Sequence, residues 1–130
     1  VDNSLFAENI TTSNTLPQGP WHVILANWTL HFVEDQYQYL KDIYNELEPK
    51  GLFILSNKMD YTPAVEELYH DFKRSNGVSE EEIVRKKESL IGVLNTKPLS
   101  WYFENMKEIG FREIELINSR FMFHTISARK

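Results

Sequence analysis

The chain contains no cysteine, which removes disulfide frameworks, thiolate zinc sites and thiol nucleophiles at once. Its apolar runs fall far short of the roughly 18–20 residues that a membrane-crossing helix needs, and its opening residues lack a secretory-signal pattern. A cytoplasmic protein without membrane contact is therefore expected. Basic excess is missing too. Fourteen Lys and Arg stand against 19 Asp and Glu, for a formal net charge of -5, so no direct nucleic-acid binding is expected. Neither G-x-G-x-x-G nor G-x-x-x-x-G-K-[ST] occurs, and the backbone cradle those motifs build for phosphates is absent with them. His22, His31, His70 and His124 never fall at H-x-H, H-x-x-x-H or H-E-x-x-H spacing, so no metal is expected. Without G-x-S-x-G there is no hydrolase elbow.

What is present describes one core. At 130 residues the chain holds a single domain and is too short for two. Position 1 is Val, which suggests a piece of something longer. Residues 1–20 are rich in turn formers and read as irregular, with a short helical turn around Leu5-Phe6-Ala7. His22–Asn27 and Leu52–Ser56 are short apolar runs, consistent with strands buried on both faces. Between them Tyr37, Leu40, Ile43, Tyr44 and Leu47 recur at helical spacing, and Pro49-Lys50-Gly51 is expected to end that helix. Strand, helix and strand over 21–59 imply a right-handed crossover in a parallel sheet. Helices follow over 63–110, and a hairpin over 111–128 is expected to reverse at Asn118-Ser119. The fold class is α/β: the second half of a Rossmann-like sheet, a partial domain over 1–130.

The densest local grammar lies at Tyr69–Ile83. Asn76-Gly77 supplies the left-handed residue that stops a helix, and Ser79 with Glu82 forms a capping box for the next. The stripes Val65, Leu68, Tyr69, Phe72 and Ile83, Lys87, Leu90, Ile91, Leu94 complete an inserted helix pair. Ligands in parallel α/β sheets sit at the carboxyl ends of strands. Asn27 falls at such an end, where its amide either meets a ligand or caps a loop. Arg85-Lys86-Lys87 either answers Glu80-Glu81-Glu82 on a solvated face or presents charge to a ligand. His70-Asp71 reads as surface or interface, and Trp101-Tyr102-Phe103 as core.

Asn27-Trp28-Thr29-Leu30-His31-Phe32, Pro49-Lys50-Gly51, Leu55-Ser56-Asn57-Lys58 and above all His70-Asp71-Phe72-Lys73-Arg74-Ser75-Asn76-Gly77 resemble class I S-adenosylmethionine-dependent methyltransferases. More narrowly they resemble the carboxy-S-adenosyl-L-methionine synthase family, over its C-terminal half. That resemblance implies a transferase in the pathway that modifies wobble uridine of transfer RNA. The cofactor would be S-adenosyl-L-methionine or its carboxylated form, and the small-molecule substrate prephenate. Asn27 matches the family's cofactor asparagine, and Asp2 echoes its ribose-binding acid. Lys87 falls where the family places an arginine that holds the transferred carboxylate across a homodimer. Lysine keeps the charge and loses the two-pronged geometry. The alternatives are an ordinary small-molecule methyltransferase on the same scaffold, and a truncated non-catalytic module that dimerises through the inserted helices.

Overall fold

The computed structural model describes residue 13 and residues 15–130. Asp2 and the turn at Leu5-Phe6-Ala7 lie outside the described residues. The elements run β1 (Trp21–Asn27), a 3-10 turn (Leu30–Phe32), α1 (Gln36–Glu46), β2 (Leu47–Lys58), α2 (Pro63–Ser75), α3 (Glu80–Ser89), α4 (Leu99–Ile109), β3 (Arg112–Arg120) and β4 (Phe123–Arg129). They form one four-stranded sheet in the order β1-β2-β4-β3. β1 and β2 are parallel, and β4 is antiparallel to both β2 and β3. Parallel strands joined through a helix, an inserted helix pair and a closing hairpin agree with the architecture read from the sequence.

The ends of α1 show how local signals and packing compete. Asp35 accepts a hydrogen bond from the Gln38 amide at 2.9 Å and so caps the helix start. The helix stops at Glu46, before the expected Pro49-Lys50-Gly51. Leu47 is 1% exposed and already extended, pairing with Trp21, so burying its side chain outweighs one more helical turn. Pro49-Lys50-Gly51 instead lies within β2, where the register slips between Trp21 and Val23 and Lys50 takes φ 67°.

β2 is the spine of the core. Phe53, Leu55, Asn57 and Met59 alternate onto its buried face, against Leu40 and Ile43 of α1 and Tyr102 and Met106 of α4. Burying each large apolar side chain is worth about 1.5–3 kcal/mol. α4 ends at Gly110, with φ 123°; a Cβ there would lie 2.9 Å from the Tyr44 hydroxyl, so space and dihedral both demand glycine. The opposite face of the sheet is covered differently. Val23 and Leu25 of β1 are 51% and 59% exposed, which corrects the expectation that this strand is buried on both faces. Within this chain α2 covers only one end of that face, where Tyr69 packs on Phe121 and Phe123.

The hairpin reverses at Phe121-Met122, not at Asn118-Ser119. Asn118 and Ser119 are strand residues paired with Thr125 and His124. Turn propensity lost to packing here. Met122 is buried at 1% exposure, and Phe121 accepts φ 55° while its ring meets Tyr69 and Phe72 of α2. α3 carries the capping box as read: Ser79 accepts from the Glu82 amide, and Glu82 accepts from the Ser79 amide. It ends at Ser89, however, so Ile91 falls in the following turn and is 75% exposed.

Candidate functional site

The carboxyl ends of β1 and β2 carry Asn27 and Lys58, and the inserted helices close over the second of them. β2 is locked where Lys58 leaves it, because period-2 alternation sends Asn57 into the core and Lys58 to the other face. On α2, Glu66, His70 and Lys73 recur at three- and four-residue spacing and so share one side. On α3 the inward side holds Ile83, Lys86 and Lys87. These side chains, with Lys58, line a cavity of about 300 Å³ between the strand end and the two helices.

The cavity has a cationic surplus. Lys58, Lys73, Lys86 and Lys87 face it beside a single carboxylate, Glu66. Lys87 Nζ lies 2.8 Å from Glu66 Oε1; this bond holds the Glu66 carboxyl below its usual range and raises the Lys87 ammonium. More than half of the Lys87 side chain is in solvent, so the pair contributes little to stability. Lys58 and Lys73 are different. Burial lowers the pKa of Lys58, and the neighbouring Lys73 charge lowers it further; burial and the Lys86 charge do the same to Lys73. Their ammonium groups sit 5.2 Å and 4.4 Å from the Tyr61 and Tyr69 ring centres. Among the described residues neither forms an ion pair. Two half-buried, mutually repelling cations, neither within ion-pair distance of a carboxylate, are arranged to receive an anion.

The geometry corrects one reading of this region and places the other residues. The Arg85-Lys86-Lys87 run does not answer Glu80-Glu81-Glu82. Glu80 bonds Arg74 at 2.8 Å, Arg74 also reaches Glu67 and Asp71 at 2.7 Å each, and Lys87 crosses to Glu66. The turn at Asn76-Gly77 folds α3 back on α2, so Glu80 and Lys87 of α3 find their partners on α2. His70 faces the cavity, 4.0 Å from Glu66, while Asp71 faces Arg74. Asn27 is exposed at its strand end and is not part of the cavity wall that holds Lys87. Lys58 and Lys73 enter the sequence reading only as parts of longer motifs and not as site residues. The signal for Lys58 was its place at the end of the second apolar strand.

A buried polar network anchors the site from below. Asn57 accepts from the His31 amide at 3.1 Å and donates to the Tyr102 hydroxyl at 2.8 Å. The Tyr102 hydroxyl donates to Gln36, whose amide donates to the Asn95 carbonyl. His31 Nδ1 lies 2.7 Å from Asn57 Oδ1 and 3.1 Å from the Lys58 amide nitrogen. His31, Gln36, Asn57 and Tyr102 are all buried. Burial, followed by the Lys58 charge, keeps the His31 pKa below its ordinary value despite the Asn57 hydrogen bond. The sign follows directly: the folded state binds fewer protons, so stability is full above the unfolded value of about 6.5 and falls as pH drops below it. The unfolding midpoint is expected to fall between about pH 7.5 and about pH 5.5. Replacing His31→Gln should shrink that fall, while His124, also lowered by burial, leaves a residue of it. An unchanged pH profile in the variant would refute the assignment.

Among the described residues no three His, Asp or Glu side chains gather as a metal site, and no helix is long and apolar enough to cross a membrane. No family model matches the chain. Curated relatives do. Carboxy-S-adenosyl-L-methionine synthase of Pasteurella multocida is 33% identical over 115 residues, covering 83% of this chain and 48% of that protein. The synthases of Actinobacillus pleuropneumoniae serotype 3 and Vibrio campbellii are each 36% identical over the same span. The chain thus spans about half the length of the curated relatives it matches. Among solved structures, an S-adenosylmethionine-dependent methyltransferase from Mesorhizobium loti aligns with TM-score 0.59 at 19% identity, over 91% of this chain and 65% of its own. Another from Thermotoga maritima aligns with TM-score 0.59 at 18% identity, over 89% and 60%. The chain therefore has part of the S-adenosylmethionine-dependent methyltransferase fold and, over about half their length, resembles the carboxy-S-adenosyl-L-methionine synthases.

Proposed function

We propose that this chain carries the strand-end portion of the site of an S-adenosylmethionine-dependent transferase, and that the transferred or accepted group is anionic. The observation that supports this most is the lysine-lined cavity at the carboxyl end of β2, on a methyltransferase sheet. The cofactor supplies an activated carbon on a sulfonium. Asn27, with an exposed amide at the end of β1 that both donates and accepts, is suited to its polar edge. Lys58 and Lys73 neutralise a carboxylate on the cofactor or on the substrate, and Lys87 assists by masking Glu66. Transfer of this kind needs alignment more than acid or base groups, which fits a cavity of cations and aromatic rings.

By likeness to the named synthases, the finer reading is formation of carboxy-S-adenosyl-L-methionine with prephenate as the carboxylate source, in the cytoplasm, ahead of transfer RNA wobble-uridine modification. Leu68, Val84 and Ile91 stand exposed on and beside the inserted helices and favour a homodimer over that surface. The test is mass analysis of the nucleoside retained when the intact protein receives S-adenosylmethionine and prephenate. Carboxy-S-adenosylmethionine is the expected product. Recovery of unmodified cofactor alone would remove the synthase reading and leave an ordinary small-molecule methyltransferase. One observation favours that second reading: Lys87 replaces an expected arginine and is already engaged by Glu66.

A further inference from the structure

A second concavity, of about 430 Å³, opens beside the first, on the far side of Tyr69. Its floor is a cluster of rings: Tyr69 lies 5.4 Å from Phe121 and 5.3 Å from Phe123, and Phe72 lies 5.4 Å from Phe121. Those contacts fasten α2 to the sheet and need no ligand to explain them. The rim does. Trp28 touches the cluster only edge-on, 5.0 Å from Phe123, and is 49% exposed. Phe72 is 36% exposed. Arg120 places its guanidinium 4.5 Å from the Phe72 ring centre and 5.7 Å from Phe121. Among the described residues it has no carboxylate partner. The two rings brace the Arg120 guanidinium against the groove, and with no carboxylate beside it among the described residues its donors can serve a two-pronged contact.

The backbone at Trp28 occupies the left-handed region, at φ 56°, which a bulky non-glycine residue rarely adopts. Phe121 does so too, at φ 55°, as part of the two-residue hairpin turn. The strain at Trp28 sets an exposed indole at the carboxyl end of β1, directly after Asn27.

We infer that this groove is a binding site for a flat, π-rich ring bearing one anionic group. The ring lies against the Trp28 and Phe72 faces, the anion meets the free edge of Arg120, and the Asn118 amide on the rim receives a polar ring substituent. Charge complementarity selects the occupant. Arg120 is the one charged residue among those lining this groove, so recognition of the anion depends on its guanidinium. An aromatic carboxylate and a nucleoside monophosphate both offer that chemistry. The inference rests on the groove alone and stands or falls separately from the proposed transfer reaction.

The test is a titration of the full chain followed at the Trp28 indole N–H by two-dimensional NMR, with Trp28→Phe to assign the signal. The probes are 4-hydroxybenzoate, cytidine 5′-monophosphate, neutral cytidine and inorganic phosphate. At least one ring anion is expected to shift Trp28 saturably, about tenfold more tightly than cytidine or phosphate, and the tighter of the two identifies the source. Arg120→Gln, at an exposed position, should weaken the ring anion about tenfold and leave cytidine unchanged, with the Trp21 and Trp101 signals reporting an intact fold. Equal binding of cytidine and the ring anions, equal binding of phosphate, or no shift at Trp28 would each overturn the inference.

Discussion

Replacing Asn57→Ala is expected to destabilise the protein by about 3 kcal/mol, a large share of the 5–15 kcal/mol typical of a small domain. The side chain is fully buried and serves two others, accepting from the His31 amide and donating to Tyr102. Alanine leaves the amide and one side of the hydroxyl without partners, each at about 1–3 kcal/mol, and opens a small void. Urea unfolding measures the loss, which should appear as a lower midpoint at unchanged slope. A double-mutant cycle with Tyr102→Phe should show coupling of at least about 0.5 kcal/mol. Additive effects would mean that the network is only a set of separate bonds. The consequence reaches the cavity, since the Lys58 amide rests against His31 Nδ1 and loses its support with the network.

On the synthase reading proposed above, Lys58→Ala is expected to weaken binding of prephenate to the intact protein by about 10–100-fold, the value of a charge-assisted hydrogen bond of about 1.5–3 kcal/mol. Lys58 is half-buried and, among the described residues, without an ion-pair partner, with Glu66 acting on it only at a distance, so most of its charge is open to the ligand. Lys87 behaves otherwise. Because Glu66 engages it, Lys87→Ala acts mainly by exposing the Glu66 carboxylate to an anionic ligand. The double replacement Lys87→Ala with Glu66→Gln should therefore recover most of the lost affinity, and Glu66→Gln alone should tighten binding by releasing Lys87. Calorimetric titration of the four proteins decides this. Failure of the double variant to recover would show that Lys87 holds the ligand directly.

Much of the framework was legible because its signals are local. The capping box at Ser79 and Glu82, the stop at Asn76-Gly77 and the apolar runs of β1 and β2 all operate within a few residues. The inserted helix pair followed from them. What stayed hidden depends on partners far apart in the chain. Asn57 reads as an ordinary polar residue until His31, Tyr102 and Gln36 are brought around it. The hairpin was misplaced because Asn118-Ser119 carries good turn chemistry, whereas burial of Met122 and packing of Phe121 on α2 determine the register. Lys87 was singled out for the site, yet its actual partner, Glu66, lies on the other inserted helix. Charge runs are a poor guide across a helix reversal.

The capping box of α3 also has a kinetic meaning. That helix buries only Ile83 fully and is otherwise held by its own caps and by exposed ion pairs to α2, such as Arg74 with Glu80 and Lys87 with Glu66. Few apolar contacts and solvent-facing charges place a segment at the low end of the local opening spectrum, far below the free energy for unfolding the β2 core. A helix of ten residues is too short to hold its shape in water without such packing, so its amides are expected to exchange with solvent well before those of β2, and that local opening is the one that uncovers Lys58.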